Sequence, residues 1–316
     1  MRMRHICSAY ARACSCLLTL SLALTVVTPL PASAQSDAEV TAAREVYKKH
    51  ADSVVWVSAV LKMRGGGAFG GMMGAQEQKV EAVGTVIHES GLTVVSLMTI
   101  DPTSLMNAMF AGQKLPGQEG KMEFKSEMSG VKIRLADGKE VPGKLVLKDE
   151  DLDLAFVMPA GASTKLKHLP LGGTGGGAKE ATAVNVLDRV IVLTRLGQEM
   201  DRQPAVGMGH IAAVVKKPRT FYVGGSDTAA LGVPVFTADG KPLGIMMMRR
   251  PSMEGSGLGG MFGMGRASSM APVIIPAADV MEVAEQALAN KDKPAEQGAE
   301  KDAGEEEEQP PKKKGK

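Results

Sequence analysis

Beyond its first 34 residues the chain holds few groups that could carry covalent chemistry. Cys7, Cys14 and Cys16 all lie near the N-terminus, so the remainder offers no thiolate nucleophile, disulfide or cysteine metal site. Ser226 sits in a glycine-rich turn. His50, His88, His168 and His210 are scattered over a helix end, a hairpin, a connecting stretch and a later strand, where a lone imidazole is usually a surface or satisfied group. Acyl transfer needs a hydroxyl nucleophile, a base in reach, a carboxylate to orient that base, and backbone donors for the oxyanion.

The elements that must position these groups read as strands. Val54 to Val60 is a β-branched run, and strand signals return over Val80–His88 and, after the Glu89-Ser90-Gly91 turn, Leu92 onward. Val131 to Leu135 alternates with period two, Asp137-Gly138 supplies a hairpin turn, and Val141–Leu147 pairs back. Further strands are expected at 188–194, 206–215 and 220–223, followed by Val235-Phe236, an Asp239-Gly240 turn and Leu243 to Ile245. Ser36 to Glu39 fits a capping box, predicting a helix with Val40, Ala43 and Tyr47 on one face. A second helix follows Pro276, with Val280, Val283, Ala284, Ala287 and Leu288 on one face. Residues 63–79 and 250–271 read as Gly/Met-rich loops, and 101–130 as an insertion without an assigned structure.

Two fragments carry a resemblance. Leu152-Asp153-Leu154-Ala155 matches the triad-acid strand of trypsin-like serine proteases of the HtrA/Deg family. Leu231-Gly232-Val233-Pro234-Val235-Phe236, with the Asp239-Gly240 turn and Gly244-Ile245, is similar to that family's nucleophile loop and following hairpin. The resemblance spans roughly residues 40–290. It implies an all-β fold of two antiparallel β-barrels of trypsin-like type with short N-terminal and C-terminal helices. It also implies that Met98, Asp153 and Leu231 stand at the three triad positions, with Gly232 and Val233 in the oxyanion loop. A thioether and an alkyl group can neither accept a proton nor attack a carbonyl, so the resemblance implies a pseudoprotease. Val233 replaces a glycine, and a β-branched residue disfavours positive φ.

Residues 1–34 read as a secretory signal: Arg2, Arg4 and Arg12, an apolar run from Leu17 to Pro31, then Ala32-Ser33-Ala34. That run falls short of the ~20 residues of a membrane helix, and its removal leaves 34 basic against 35 acidic side chains, a net charge of −1. The expected product is exported, periplasmic or secreted, with no stable membrane span. Its near-neutral charge gives no reason to expect nucleic acid as a partner. The expected domains are the signal at 1–34, helix and first barrel at 35–172, second barrel and helix at 173–290, and a charged, disordered tail at 291–316. The glycines at 172–177 lack a following Lys-Ser/Thr and favour a linker over a phosphate site.

No cofactor or metal site is expected from these motifs. The expected partner is a polypeptide or cell-envelope protein bound without turnover, with self-association through the Gly/Met-rich loops. A serine endopeptidase of HtrA type with an unconventional site is the alternative. The methionines at 72, 73, 246–248, 253, 261, 264 and 270 admit three readings: an adaptable packing surface, thioether capture of Cu(I), or solvated insertions.

Overall fold

The computed structural model describes residues 34–65, 76–110, 124–161, 166–172, 184–226, 230–249 and 271–291. The chain divides into two units, Met1–Thr41 and Ala42–Lys316. In the first, the described residues are helical, and the Thr41 hydroxyl donates to the Asp37 carbonyl at 2.7 Å. The helix α1 runs over Ala34–His50, so Ser36 lies inside it and does not cap it. No helix among the described residues is long and apolar enough to cross a membrane.

The second unit holds two closed antiparallel barrels of six strands each, the architecture expected of a trypsin-like double barrel. The first comprises β1 (Val54–Gly65), β2 (Gln76–Val86), β3 (Thr93–Ser96), β4 (Phe124–Arg134), β5 (Glu140–Asp149) and β6 (Leu154–Pro159). The second comprises β7 (Arg189–Arg195), β8 (Pro204–Val215), β9 (Phe221–Gly225), β10 (Pro234–Thr237), β11 (Pro242–Arg249) and β12 (Ala271–Pro276). Going round the first barrel the order is β1-β2-β3-β6-β5-β4, and the second repeats it as β7-β8-β9-β12-β11-β10. The barrels thus share one strand topology.

Period-two alternation sorts the side chains. Val55, Val57, Ala59 and Leu61 of β1, with Ala155 and Val157 of β6, share one cluster. The opposite faces, including Val54, Val94, Leu154 and Phe156, join a larger core with Val190, Val192, Val235 and Ile245 of the second barrel. β6 is therefore buried on both faces, which is why it reads as an unbroken apolar run.

Three expectations change. β1 continues to Gly65 and β2 begins at Gln76, so cross-strand pairing claims residues at both ends of the stretch read as a loop. β3 stops at Ser96, and Leu97–Ile100 forms a short helix α2. The 101–130 insertion contains a helix α3 (Thr103–Phe110) and the first half of β4. The C-terminal helix α4 spans Ala277–Ala289 and buries Val280, Val283, Ala284 and Ala287. The loop at 250–270, the glycines at 173–177 and the tail from 292 lie outside the described residues.

Candidate functional site

Asp153 ends the β5–β6 connection in the left-handed region, at φ 61°, a conformation that Asp tolerates better than most residues. Its side chain is 1% exposed. One carboxylate oxygen, Oδ1, accepts the Met98 amide at 2.7 Å. The other, Oδ2, accepts the Ser96 hydroxyl at 2.7 Å and the Met248 amide at 3.1 Å. The Asp153 carbonyl takes the Leu97 amide at 2.9 Å. One residue thereby holds the end of β3, the first turn of α2 and, through Met248, strand β11 of the second barrel. These donors are neutral, and no imidazole is among them.

Ser96 is committed twice. While donating to Asp153, its oxygen accepts the Thr99 amide at 3.3 Å and caps α2. Met98, expected at the end of a strand, sits inside this helical turn and is half-buried. The turn forms because Asp153 captures the amides of Leu97 and Met98 together.

Leu231 and Gly232 form the turn before β10. Gly232 has φ 83°, and a Cβ there would lie 2.3 Å from the Val83 carbonyl oxygen and 3.4 Å from the Ser96 amide nitrogen. Only glycine fits this close approach. Its amide donates to the Met246 carbonyl at 2.7 Å, and its carbonyl accepts the Thr85 hydroxyl at 2.8 Å. Leu231 packs against the larger core beside Ala230. Val233 is fully buried, and its carbonyl accepts the Met246 amide at 2.9 Å. The fold therefore brings the surroundings of Met98, Asp153 and Leu231 together. It also commits the Gly232 amide to Met246.

The histidines lie elsewhere. His50 stacks on Phe236 with ring centroids 5.5 Å apart; burial, then the adjacent Lys49 charge, lowers its pKa below the ordinary imidazole value. His88 Nδ1 lies 2.9 Å from the Ser90 hydroxyl and accepts the Ser90 amide at 3.1 Å, all within a surface hairpin. That local Ser–His contact has no carboxylate partner among the described residues. His168 and His210 are exposed. Ser226 follows β9, and residues 227–229 lie outside the described residues.

Sequence reasoning missed Ser96 and a second carboxylate. Asp101, 4% exposed, accepts the Thr103 hydroxyl at 2.6 Å, the Ser126 hydroxyl at 2.7 Å and the Lys148 ammonium at 2.6 Å. Burial opposes its charge, yet Lys148, Thr103 and Ser126 outweigh this and hold its pKa below the usual carboxylate value. An Asp-Pro-Thr run after an apolar strand was the available signal, and it reads equally as an ordinary turn.

The barrels also meet through two arginines. Arg195 donates to the carbonyls of Val54 and, at 2.9 Å, Ala51, and burial lowers its pKa against the opposing pull of Asp52 and Tyr47. Arg202 pairs with Glu81 at 2.9 Å and lies over the Trp56 ring at 5.6 Å.

No group of three or more His, Cys, Asp or Glu side chains is placed to hold a metal among the described residues. Met246 and Met247 fill the core, whereas Met72, Met73, Met253, Met261, Met264 and Met270 lie outside the described residues. No protein-family model and no curated protein matches the chain.

Proposed function

We propose that the chain is an exported, trypsin-like pseudoprotease of HtrA/Deg type that holds extended polypeptide, or a cell-envelope protein, without cleaving it. The observation that carries this reading is the state of Asp153. Its carboxylate is occupied by the Ser96 hydroxyl and by the Met98 and Met248 amides, at a place where Met98 and Leu231 bring neither base nor nucleophile. A carboxylate with no imidazole to orient contributes structure and no proton transfer. The neighbouring turn is equally committed, since the Gly232 amide serves Met246. A double-barrel scaffold with such a site retains strands that can bind a peptide through main-chain hydrogen bonds.

The test is to pass a library of unstructured peptides over the immobilised protein and weigh what is retained and what is released. Retention of intact peptides is the expected result. No retention, or release of fragments at a rate above blank surface, would overturn the reading.

A further inference from the structure

The first barrel is closed, but the N-terminal part of β2 runs on beyond its pairing with β3. β1 and β2 pair without a bulge from Val54↔Thr85 to Met63↔Gln76, but β3 covers β2 only from Gly84 to Val86. The Ile87 amide donates across the β2–β3 hairpin to the Leu92 carbonyl at 2.8 Å. Backbone groups alternate sides along a strand, so those of Glu77, Lys79 and Glu81 point toward the same, outer edge. Gln76, Glu77, Gln78 and Lys79 are all exposed. Among the described residues, no strand or loop pairs with the outward backbone groups of Glu77 and Lys79. The matching edge of β4 is covered: Asn107 of α3 accepts the Phe124 amide at 2.6 Å and donates to its carbonyl at 2.8 Å, and Asp101 takes the Ser126 hydroxyl.

We propose that the β2 edge pairs antiparallel with the same edge of a second copy of the chain, about a two-fold axis at Gln78. In that register Glu77, which pairs with Lys62 of its own chain at 3.0 Å, also faces Lys79 of the second copy, and Lys79, which pairs with Glu81 at 2.9 Å, also faces its Glu77. The outward amides and carbonyls of both residues then exchange hydrogen bonds. The order Glu-Gln-Lys is self-complementary under this operation, which is what an isologous interface requires, and opposite charges directly across a ladder stabilise it. The pairing continues with Gln76 opposite Val80. Further along β2 the Val83 carbonyl meets Gly232, so the contact is short and the association weak.

The test is sedimentation of the purified protein at low salt from roughly 10 µM to 1 mM, the range a small interface implies. A monomer–dimer equilibrium is expected. Glu77→Lys and Lys79→Glu should each weaken it about tenfold, because each places like charges opposite one another twice. The double exchange Glu77→Lys/Lys79→Glu should regain it. Lys79→Pro removes an outward donor without touching the β1 ladder and should abolish dimers, with far-UV circular dichroism verifying that each variant is folded. A monomer at every concentration would overturn the proposal. So would single variants that dimerise like the parent, or a double exchange that stays monomeric. Peptide binding lost in Lys79→Pro, from a protein that never dimerises, would assign the edge to a peptide instead.

Discussion

Two buried aspartates tie together different parts of the molecule. Asp101 is neutralised by a cation: Lys148, itself one-third exposed, reaches in from β5, and two hydroxyls complete the shell. Asp153 is gripped by donors from three elements, among them the Ser96 hydroxyl and the Met98 and Met248 amides. The first arrangement locks α2, α3, β4 and β5 within one barrel. The second joins two barrels and leaves a carboxylate at the position where the family resemblance puts a base-orienting acid. A buried carboxylate is costly unless hydrogen bonds or a counter-charge compensate it. Its persistence here is accounted for by the three elements it holds together.

Removing each carboxylate should separate these roles. Asp153→Ala orphans the buried Ser96 hydroxyl and two part-buried amides, each worth ~1–3 kcal/mol, and should lower stability by about 4 kcal/mol in denaturant titration. A loss below about 1 kcal/mol would mean that water replaces it and the hub is not structural. Asp101→Ala should cost about 2–3 kcal/mol, since Lys148 can swing to solvent while Thr103 and Ser126 cannot. Lys148→Ala should cost less, and the double variant should cost no more than Asp101→Ala; additive losses would break the pairing inferred here. Ser96→Ala removes one donor to Asp153 and the cap of α2, for about 1–2 kcal/mol.

The smallest effects are in pH dependence. His50 has a depressed pKa in the folded state, so the unfolded chain binds more protons as pH falls through about 6.5, and stability declines below that value. His50→Gln should flatten the stability profile between about pH 5 and 7. Asp101 is depressed as well; its contribution is present above about pH 4 and fades as pH falls further. Asp101→Asn should flatten only that lower limb. A profile unchanged in either variant would remove the assignment for that group.

The barrels were legible because their strands announce themselves locally. β-branched runs alternate between two apolar clusters, and the Asp137-Gly138 and Asp239-Gly240 turns lie where the hairpins close, with Gly240 at φ 79°. α4 was legible from its apolar stripe. The site was less so. Leu97-Met98-Thr99-Ile100 has a composition that suits a strand, and the Ser96 cap together with the distant Asp153 carboxylate and carbonyl turns it into a helix. Similarly, β1 and β2 extend toward the glycine-rich stretch because each supplies the other's ladder, a pairing that local propensity does not register. Asp101 did not stand out because, apart from Thr103 two residues on, its partners Ser126 and Lys148 come from distant β4 and β5.

The most direct test of the central claim is casein turnover by the purified protein, with and without a serine-directed inhibitor. The account predicts no cleavage above the buffer rate in either case. Cleavage abolished by the inhibitor would contradict it and would require a nucleophile other than the residue at position 231.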